Sequence, residues 1–485
     1  MVERPPEFQG LNSDPSFHKY QAQRRQYWNK AAYAQGKGLG GYYHKRLREV
    51  VENVVQPNLR ILEIGCGLGD LLSGLQPSFG VGVDFSIEMI LRAKERHPDL
   101  HLIVGDAHLI PFANTPFDVI ILSDLLNDVW DVYAILENIR LVCHPGTKII
   151  INTYSRVWEL PLLIAEKLGL AQPVLDRNWL TVSDVSNFLD ASGFEEIRTW
   201  QEVLFPFDIP LISPFFNRFL VRFWPLNQLA LTNFIYARPK AQPRLEKPGV
   251  SIIIPARNEE GNVENIFASL PEMNCEMEII FVEGNSRDNT YDAILACQAK
   301  YPQKKTKLFR QTGVGKGDAV RLGFENATQD ILMILDADLT VPPHYLPRFY
   351  QSLYEGQGEF INGVRLVYPM EKQAMRFLNL IGNKFFGLLF TWLLGQPIKD
   401  TLCGTKVLWK EDYRRIANNR AFFGDFDPFG DFDLLFGAAK IGLKIVDVAV
   451  RYRDRTYGTT NISRWRHGLL LFKMAAVAAL RLKFR

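Results

Sequence analysis

The sequence predicts two α/β domains joined in one chain. In each half, short apolar runs alternate with helical patterns, which is the order expected of a mostly parallel sheet covered by helices. In each half, polar or glycine-rich loops follow the apolar runs directly, at the edge where α/β proteins bind ligands. Between the halves, the segment 239–249 carries three prolines and mixed charge. We therefore predict one domain over 1–240, a linker over 241–249 and a second domain over 250–485.

The composition is that of an ordinary globular protein with an ample core. The chain has 485 residues, which favours two or three domains, and 47% of them are hydrophobic against 22% charged. Its five cysteines are scattered, without the spacing of a zinc site or a disulfide framework, which favours a reducing compartment. The N-terminus is polar and lacks the pattern of a signal peptide. We therefore expect a cytoplasmic protein.

Positive charge is concentrated at the C-terminal end. The net charge is +3, yet residues 451–485 carry nine Lys and Arg against one Asp. Leu, Phe and Trp stand between these charges, and the mixture favours a membrane surface over nucleic acid as the anionic partner. The stretches 375–394 and 468–485 are typical of interfacial helices, and neither is apolar over a full bilayer span. We expect peripheral attachment to the cytoplasmic face of a membrane. Docking of the last helix onto its own domain or a second copy is the alternative, and the oligomeric state stays open.

The first half predicts a mostly parallel sheet. Its central strands are predicted at Arg60–Ile64, Val81–Asp84, Leu100–Gly105, Phe117–Ser123 and Lys148–Thr153. A helix over 27–54 is predicted before them, and a helix over 180–194 after them, followed by strands near 196–203 and 233–238. The segment 204–226 is rich in Phe and Pro, and it is predicted to be a substrate lid, a membrane-touching insert or an interdomain packing surface.

A glycine loop, Glu63-Ile-Gly-Cys-Gly-Leu-Gly69, joins the first strand to a helix near Asp70. Glycines let a backbone turn tightly and approach a ligand, and this spacing differs from the dinucleotide fingerprint Gly-x-Gly-x-x-Gly. Glu63 would repel a pyrophosphate and suits a cationic ligand that carries an amino acid. Asp84 ends the second strand, where a carboxylate can accept both ribose hydroxyls, and Asp106 follows the third, within reach of an adenine amine. The sequence therefore predicts a methyl-donor site.

Residues 50–155 resemble class I S-adenosylmethionine-dependent methyltransferases. The resemblance is carried by Glu63–Gly69, Asp84, Gly105-Asp106-Ala107, Ile110-Pro-Phe112 and Phe117-Asp-Val-Ile120. It implies a Rossmann-like sheet with an antiparallel final hairpin, and S-adenosyl-L-methionine as the cofactor. The glycine loop would hold the methionine part, the second-strand acid the ribose and the third-strand acid the adenine. The cofactor-binding residues implied are Glu63, Gly65, Gly67, Gly69, Asp84, Asp106, Ala107 and Asp124.

The first half offers no clear base for methyl transfer. Asp124 and Asn127 follow the fourth strand, near the expected substrate, and many relatives carry His where Asn127 stands. A sulfonium donor needs mainly alignment with the nucleophile, so transfer does not require such a base. We expect methylation of a glycan or lipid. A donor-binding scaffold without turnover is the alternative.

The second half predicts another parallel sheet with polar loops at its strand ends. Its strands are predicted at Val250–Pro255, Glu278–Val282, Lys307–Arg310 and Ile331–Asp336. The first two are followed by Ala256-Arg-Asn-Glu-Glu260 and by Glu283-Gly-Asn-Ser-Arg-Asp-Asn-Thr290. A further loop, Gly313-Val-Gly-Lys-Gly-Asp-Ala319, leads into a helix and lacks the Gly-Lys-Ser/Thr order of a Walker A loop.

Asp336-Ala-Asp338 follows the last of these apolar runs. Alternation along an extended chain predicts that both carboxylates point to one side. They are hard oxygen ligands that suit Mg²⁺ or Mn²⁺, and such a metal neutralises a leaving nucleoside diphosphate. Because the polar loops accompany this pair, the sequence predicts a metal-diphosphate site for an activated sugar.

Residues 248–465 resemble family 2 glycosyltransferases with a GT-A fold, and among them dolichol-phosphate mannose synthases and other polyprenyl-phosphate glycosyltransferases. The acceptor-side patterns are Gly363-Val-Arg365, Arg376 with Asn379 and Asn383, Lys399-Asp-Thr-Leu-Cys-Gly-Thr-Lys406, and Tyr452-Arg-Asp-Arg-Thr-Tyr-Gly458 followed by Ser463. The resemblance implies a nucleotide-sugar donor such as GDP-mannose or a UDP-sugar, a polyprenyl or dolichyl phosphate acceptor, and interfacial helices.

The same resemblance implies roles for individual residues. The metal ligands implied are Asp336, Asp338 and Thr340. The nucleotide-sugar ligands implied are Pro255, Ala256, Glu259, Glu283, Asp288, Lys316 and Asp336. The catalytic residues implied are Asp338, Asp400, Arg365, Arg376 and Arg455, with the arginines on phosphates and Asp400 orienting the acceptor or acting as base. The family often has Asp-Asp where this chain has Glu283-Gly284, and Gln where it has Thr340, and both departures bear on which nucleotide binds.

The combined prediction is a bifunctional enzyme that transfers a sugar to a polyprenyl phosphate and a methyl group to a related glycan or lipid. Polyprenyl phosphate is already ionised at neutral pH, so its oxygen can attack the sugar without a strong base. One alternative is a glycosyltransferase with a non-catalytic S-adenosylmethionine-binding scaffold. Another is a glycosyltransferase that acts on a sugar or protein acceptor.

Overall fold

The structure is a computed structural model, and it describes residues 14–33, 40–109, 115–168, 175–241, 246–368, 377–420, 430–453, 455, 457 and 464–484. Its internal contacts divide the chain into two compact units, Met1–Lys240 and Ala241–Arg485. Each unit is built around one seven-stranded sheet. The α/β fold class predicted from the sequence is confirmed.

The sheet of the first unit has the strand order β3-β2-β1-β4-β5-β7-β6. Its strands are β1 (Arg60–Ile64), β2 (Phe79–Asp84), β3 (His101–Val104), β4 (Phe117–Ser123), β5 (Cys143–Tyr154), β6 (Phe194–Glu202) and β7 (Thr232–Pro239). Strands β1 to β5 are parallel, and β7 runs antiparallel to both of its neighbours. The chain order reverses between β1 and β4, so a crevice forms outside the carboxyl ends of these two strands.

Helices cover both faces of this sheet. They are Pro15–Ala31, Gly40–Val54, Asp70–Gly74, Ile87–Arg96, Val132–Arg140, Glu159–Lys167 and Val182–Ala191, with shorter helical turns at Arg156–Trp158, Ile212–Pro214, Phe215–Phe219, Leu220–Arg222 and Leu226–Leu229. Because both faces are covered, central strands read as apolar runs; Ile61, Leu62 and Ile64 of β1 are fully buried.

The N-terminal helical region differs from the prediction of one helix over 27–54. The structure has two helices, Pro15–Ala31 and Gly40–Val54. The first begins at Asp14, whose carboxylate accepts the Ser16 N–H, and proline occupies its first position. The N-cap Asp14 and the first-position Pro15 are signals of a helix start, and the prediction of a single helix over 27–54 did not include them.

The sheet of the second unit has the strand order β10-β9-β8-β11-β13-β12-β14. Its strands are β8 (Val250–Ala256), β9 (Met277–Glu283), β10 (Thr306–Arg310), β11 (Ile331–Ile334), β12 (Phe360–Val364), β13 (Lys406–Trp409) and β14 (Ile445–Ala449). Strands β8 to β11 are parallel, and β13 runs antiparallel between β11 and β12. The reversal between β8 and β11 again opens a crevice at the carboxyl ends of the strands.

Helices also flank the second sheet. They are Glu260–Ser269, Thr290–Lys300, Lys316–Glu325, Leu346–Tyr354, Phe377–Leu394, Lys410–Asn418, Asp431–Lys440 and Arg464–Ala478, with turns at Pro343–Tyr345 and Ala479–Lys483. The last helix packs on Phe377–Leu394, where the rings of Phe386 and Phe472 lie 5.1 Å apart. Along the described ranges, no helix combines the length and the apolar character needed to cross a bilayer.

Strand β11 is shorter than predicted. It ends at Ile334, and the chain then turns, with the Leu339 N–H donating to the Asp336 carbonyl at 3.2 Å. Leu339 takes a left-handed conformation, with φ of 53°. The argument from strand alternation is therefore corrected: Asp336 and Asp338 lie in a turn, and each carboxylate contacts a different cation.

Candidate active sites

The glycine loop of the first unit follows β1 in a conformation that favours glycine. Gly65, Gly67 and Gly69 all have positive φ, at 76°, 51° and 74°. A Cβ atom at Gly65 would approach the Leu125 side chain at 3.0 Å, whereas a Cβ at Gly67 would meet nothing within 4 Å. The loop is thus packed from below at Gly65 and open at Gly67, which leaves room for a ligand against its backbone.

Asp84, at the end of β2, holds this loop in place. Its Oδ2 accepts the Gly67 N–H at 2.9 Å, and its Oδ1 accepts the Ser86 N–H at 2.9 Å. Burial raises the pKa of Asp84 to about 6. The carboxylate predicted to accept the ribose hydroxyls therefore already borders the open face at Gly67.

Glu63 lies beneath the loop. Its side chain is buried, and Oε2 accepts the Leu72 N–H at 3.2 Å. Burial raises the pKa of Glu63 to about 8. These contacts favour a role in shaping the loop, and direct contact of Glu63 with the cofactor stays a prediction.

Asp106, which follows β3, is hydrogen-bonded to the backbone and the ring of His108. Its Oδ1 accepts the His108 N–H at 2.9 Å and lies 2.7 Å from His108 Nδ1. Because His108 Nε2 accepts the Asp131 N–H, the ring proton sits on Nδ1 and is donated to Asp106. Burial by itself would raise the pKa of Asp106, but the bonds from His108 hold it below its usual value. Ala107, the residue between Asp106 and His108, is half-buried.

Asp124 closes the crevice on the β4 side. It has a left-handed backbone, with φ of 53°, and its Oδ1 accepts hydrogen bonds from the Tyr43 hydroxyl at 2.8 Å and from Asn152 Nδ2 at 2.6 Å. Burial raises the pKa of Asp124 to about 6. Asn127, by contrast, is buried and accepts the Tyr154 N–H while donating to the Asn178 carbonyl. Its contacts tie β5 to a loop, whereas Asp124 is only half-buried.

The N-terminal helix Pro15–Ala31 borders the same crevice, which the sequence did not predict. Gln21 donates to Asp106 Oδ2, while Arg24 and Trp28 donate to the Asp128 carboxylate at 3.0 and 2.7 Å. Residues 21, 24 and 28 are spaced so that they lie on one face of a helix. That spacing was the available signal, but only the fold shows what the face contacts.

The first site fits a nucleoside-linked sulfonium cofactor. Its backbone is open at Gly67, the Asp84 carboxylate lies beside that opening, and a second acid, Asp106, stands at the neighbouring strand end. The Ile110-Pro-Phe112 motif lies outside the described residues. The predicted cofactor ligands that the structure describes thus surround the carboxyl ends of β1, β2, β3 and β4.

Affinity for S-adenosylmethionine is expected to fall as the pH drops through about 6. Below that value Asp84 is protonated, and the neutral carboxyl loses the charge-assisted bonds that an ionised carboxylate makes with hydroxyls. Asp106, with its lowered pKa, stays ionised there and cannot cause the change. Asp124, whose pKa is also raised to about 6, is distinguished by repeating the titration with Asp84→Asn, in which the pH dependence due to Asp84 should be absent. Calorimetric titration between about pH 5 and pH 8 measures the effect. Equal affinity across this range would contradict the assignment of Asp84 to the ribose.

In the second unit, the loops after β8 and β9 are tied together by acidic residues. Asp288 Oδ1 accepts the Thr290 N–H at 3.2 Å, and its Oδ2 accepts the Glu260 N–H at 3.3 Å. Glu283 is buried and accepts the Ser286 N–H at 2.5 Å. The bond to Glu260 joins the two loops, and the bond to Ser286 folds the second loop onto the end of β9. Direct contact of Asp288 and Glu283 with a nucleotide stays a prediction.

The end of β8 places the backbone of Pro255 and Ala256, and then the Glu259 carboxylate, at the carboxyl edge of the second sheet. Pro255 and Ala256 end the strand, and the Ala256 carbonyl accepts the Gly284 N–H at 2.8 Å. Glu259 follows, with its Oε2 accepting Asn262 Nδ2 at 2.7 Å. Burial raises the pKa of Glu259 to about 7. The predicted nucleotide ligands of this loop are thus neighbours in space.

The two acids of the β11 turn are each paired with a cation. Lys316 Nζ lies 2.5 Å from Asp336 Oδ1, and Arg455 Nη2 lies 2.6 Å from Asp338 Oδ2. Burial alone would raise the pKa of Asp336 and lower that of Lys316, but the ion pair reverses both directions. Thr340 donates its hydroxyl to Asp338 Oδ1 at 2.8 Å. The structure therefore brings Lys316, Asp336, Asp338, Thr340 and Arg455 into one cluster.

This cluster fits a divalent metal that is shared with a bound diphosphate. Within the residues that the structure describes, no group of three His, Cys, Asp or Glu side chains is arranged to hold a metal. Mg²⁺, however, is commonly held by one or two carboxylates together with substrate phosphates. Asp338 offers such a carboxylate, and its partner Arg455 is a cation that a metal could replace there. Asp336 and Asp338 are the residues that would hold it.

Arg365 and Asp400, which belong to the predicted acceptor-side motifs, form a bidentate ion pair. Arg365 donates Nε and Nη2 to the two Asp400 carboxylate oxygens at 2.7 and 2.9 Å, and backbone N–H groups of Arg365 and Leu402 donate to the same carboxylate. Burial would raise the pKa of Asp400, but Arg365 holds it below its usual value. Asp400 is fully buried, so its contacts favour positioning of Arg365 over proton transfer. Arg376 lies outside the described residues.

A second buried ion pair supports the crevice from below. Lys406 is fully buried, and its Nζ lies 3.0 Å from Asp431 Oδ1 at the start of helix Asp431–Lys440. Beside it, a Cβ at Gly404 would overlap Asp336 Oδ2 and Lys316 Nζ. The sequence placed Gly404 and Lys406 in an acceptor motif but did not predict Asp431, because that residue is remote in the chain.

Both halves match known sequence families. Residues 56–193 match the model described as a methyltransferase domain, and residues 251–416 match the model described as glycosyl transferase family 2. The predicted combination of a methyltransferase domain with a family 2 glycosyltransferase domain is confirmed.

Curated relatives match the second half. A dolichol-phosphate mannosyltransferase of Pyrococcus furiosus is 30% identical over 168 residues, which cover 33% of this chain and 46% of that protein. An undecaprenyl-phosphate 4-deoxy-4-formamido-L-arabinose transferase of Pectobacterium carotovorum is 32% identical over 220 residues, covering 44% of this chain and 62% of that protein. This chain thus spans about half the length of the first relative.

Among solved structures, a S-adenosylmethionine-dependent methyltransferase of Thermotoga maritima aligns with 46% of this chain and 98% of its own. The two are 16% identical, and the TM-score is 0.35.

Proposed function

We propose that this chain, which joins a methyltransferase domain to a family 2 glycosyltransferase domain, transfers a sugar from a nucleotide donor to a polyprenyl or dolichyl phosphate. The observation that carries the proposal is the cluster in which acceptor-side Arg455 lies 2.6 Å from Asp338 of the β11 turn. The acid that the resemblance assigns to the donor diphosphate is therefore paired with an arginine that it assigns to a phosphate on the acceptor side. GDP-mannose and UDP-sugars are the candidate donors.

The reaction joins two anions, so the site must supply positive charge more than base strength. A divalent metal bound at Asp336 and Asp338, Mg²⁺ or Mn²⁺, would neutralise the leaving diphosphate. Arg365, oriented by Asp400, and Arg455 offer guanidinium groups to the acceptor phosphate. The acceptor oxygen is ionised at neutral pH. The full engagement of Asp400 with Arg365 is consistent with such a base-free attack.

The first unit is proposed to bind S-adenosylmethionine and to methylate a glycan or lipid related to the second unit's product. The glycine loop and Asp84 would hold the cofactor, and Asp124 borders the place where an acceptor would enter. The cofactor supplies an activated methyl group that needs alignment with its acceptor. Attachment of the chain to a membrane surface, through exposed apolar side chains of the last helix such as Leu469 and Phe472, would bring both units to lipid-borne substrates.

The proposal is tested by incubating the purified chain with polyprenyl phosphate, Mn²⁺ and a panel of labelled nucleotide sugars. Label from one donor is expected in the lipid phase, and it should be absent when polyprenyl phosphate is omitted. Nucleotide binding without any lipid-linked product would contradict the lipid acceptor and favour a sugar or protein acceptor. With methyl-labelled S-adenosylmethionine, label is expected in the glycan or lipid fraction. Binding without transfer would favour the scaffold alternative for the first unit.

A further inference from the structure

A surface of the first unit exposes apolar side chains in unusual density. Between β6 and β7 the exposed side chains include Phe207, Leu211, Phe215, Phe219, Trp224 and Leu229. Two of them are almost fully in solvent, since Leu211 is 86% exposed and Trp224 is 80% exposed. Soluble proteins rarely expose contiguous apolar patches of this kind without a partner. We call this set the aromatic surface.

The aromatic surface continues onto a neighbouring helix. Trp158 donates its indole N–H to the Leu229 carbonyl at 2.9 Å, which places the helix Glu159–Lys167 beside the segment. That helix has no buried residue, and its Leu160 is 70% exposed. The apolar character is therefore shared by two elements rather than confined to one loop.

Polarity within the segment is the reverse of that in an ordinary surface loop. Ser213 and Asn217 are fully buried, although they are polar and stand between exposed apolar residues. Asn217 exchanges two hydrogen bonds with the Phe205 backbone, at 2.8 and 2.6 Å, and donates to the Tyr42 hydroxyl. The polar side chains thus hold the segment to the unit, and the apolar side chains are left to face outward.

An ion-pair network anchors the base of the segment. Arg222 donates to both carboxylate oxygens of buried Glu202, which also pairs with Arg46 at 3.2 Å. Buried polar networks of this kind fix one conformation. Leu211 is held with φ of 68° and ψ of −41°, a positive-φ conformation that bulky residues seldom adopt. The segment between β6 and β7 is therefore held in a fixed conformation in which its apolar side chains face solvent.

The charge on the aromatic surface indicates what it contacts. Residues 209–217 carry no charged side chain, Asp208 is the only acid in 204–229, and the adjoining helix carries Glu159, Glu166 and Lys167. Arg222 is neutralised by Glu202, and Arg218 lies 3.2 Å from Glu49. A nearly neutral surface rich in Phe, Leu and Trp suits the boundary of headgroups and acyl chains in a bilayer. It differs from residues 451–485 of the same chain, where nine basic residues stand against one acid and favour anionic lipid.

We propose that the aromatic surface docks the methyltransferase unit directly onto a lipid bilayer, by apolar insertion rather than by charge. The inference deepens the proposed function and rests on its placement of the acceptors at a membrane, since it gives the first unit its own contact with lipid-borne substrate. Its test measures binding and requires no transfer reaction.

The test is flotation of the full chain with vesicles of pure phosphatidylcholine, at high salt so that the basic C-terminal segment contributes little. The double variant Leu211→Asn, Trp224→Gln is expected to partition about tenfold or more weakly than the unchanged chain. The single variant Trp224→Gln leaves the positive-φ residue Leu211 unchanged and should show a smaller loss in the same direction, so it guards against misfolding caused by the change at position 211. The matched control is Leu91→Ser with Leu141→Ser, which removes two exposed leucines of the same unit outside this surface.

Circular dichroism and thermal unfolding report on the fold of each variant, so this check does not depend on cofactor binding. Unchanged partition of the folded double variant would overturn the proposal. So would light scattering that shows a dimer dissociated by the double variant, with vesicle binding unaffected, because a second copy would then be the occupant. Sugar transfer to polyprenyl phosphate in detergent is measured separately, so failure of the proposed function is distinguished from failure of this inference.

Discussion

Replacing Asp338 by Ala is expected to lower sugar transfer by about 10²–10³-fold while the second unit stays folded. Asp338 is the carboxylate on which Thr340 and Arg455 converge, at 2.8 and 2.6 Å. Its loss would remove a carboxylate for the proposed metal and the partner that now orients Arg455. The half-buried guanidinium of Arg455 is not left alone, because Glu259 lies 3.5 Å from it, so we expect a stability cost of only about 1–3 kcal/mol.

Initial rates with labelled donor and polyprenyl phosphate measure the effect, and thermal unfolding monitors the fold. Asp330→Ala is the matched control, since Asp330 is an exposed aspartate that precedes the same strand, β11, at its other end. The control is expected to keep its full rate. If Asp338→Ala retained more than about a tenth of the rate, the assignment of the β11 turn to the diphosphate would be wrong.

Replacing Asp84 by Asn is expected to weaken S-adenosylmethionine binding by about 10–100-fold. Asn has the same shape, but one of its two polar atoms is a donor. Because Asp84 now accepts the N–H groups of both Gly67 and Ser86, the amide would face one of these donors with its own N–H. The variant therefore loses a charge-assisted acceptor for the ribose and also loosens the glycine loop.

Calorimetry with S-adenosylmethionine measures this change, and Asp99→Asn is the control because Asp99 is exposed in a turn of the same unit. Sugar transfer by the second unit serves as an internal check on the preparation. Wild-type affinity in Asp84→Asn would refute the role proposed for the β2 acid. Equal weakening in both variants would indicate a general loss of folding rather than a local effect.

Motifs at strand ends were the most predictable part of the molecule. The predicted strands Arg60–Ile64 and Phe117–Ser123 coincide with β1 and β4. Both strands are buried on two faces, so they read as uninterrupted apolar runs, and the chemistry-bearing residues follow immediately in sequence. Glu63–Gly69 and Asp336–Asp338 could therefore be located without any knowledge of long-range contacts.

Residues whose partners are distant in the chain were not predictable in this way. The sequence proposed Asp400 as a possible base, but the fold surrounds it with Arg365 and two backbone donors. The sequence likewise gave no partner for Arg24, which forms an ion pair with Asp128 in the structure. Periodicity reports which face of an element is buried, and it contains no information on which other element covers that face.

The sequence by itself determined that the chain has two α/β domains and that their strand ends carry a glycine loop in one and an acidic pair in the other. It did so because the alternation of apolar runs and loops is a local property. Only the tertiary structure decided which charges neutralise one another, as when Arg455 reaches Asp338 across 117 residues of chain. It also decided which carboxyls are buried, and hence that the pKa of Asp84 rises to about 6 while that of Asp106 falls. Ion pairing and desolvation depend on distances between remote residues, and those distances exist only after the chain has folded.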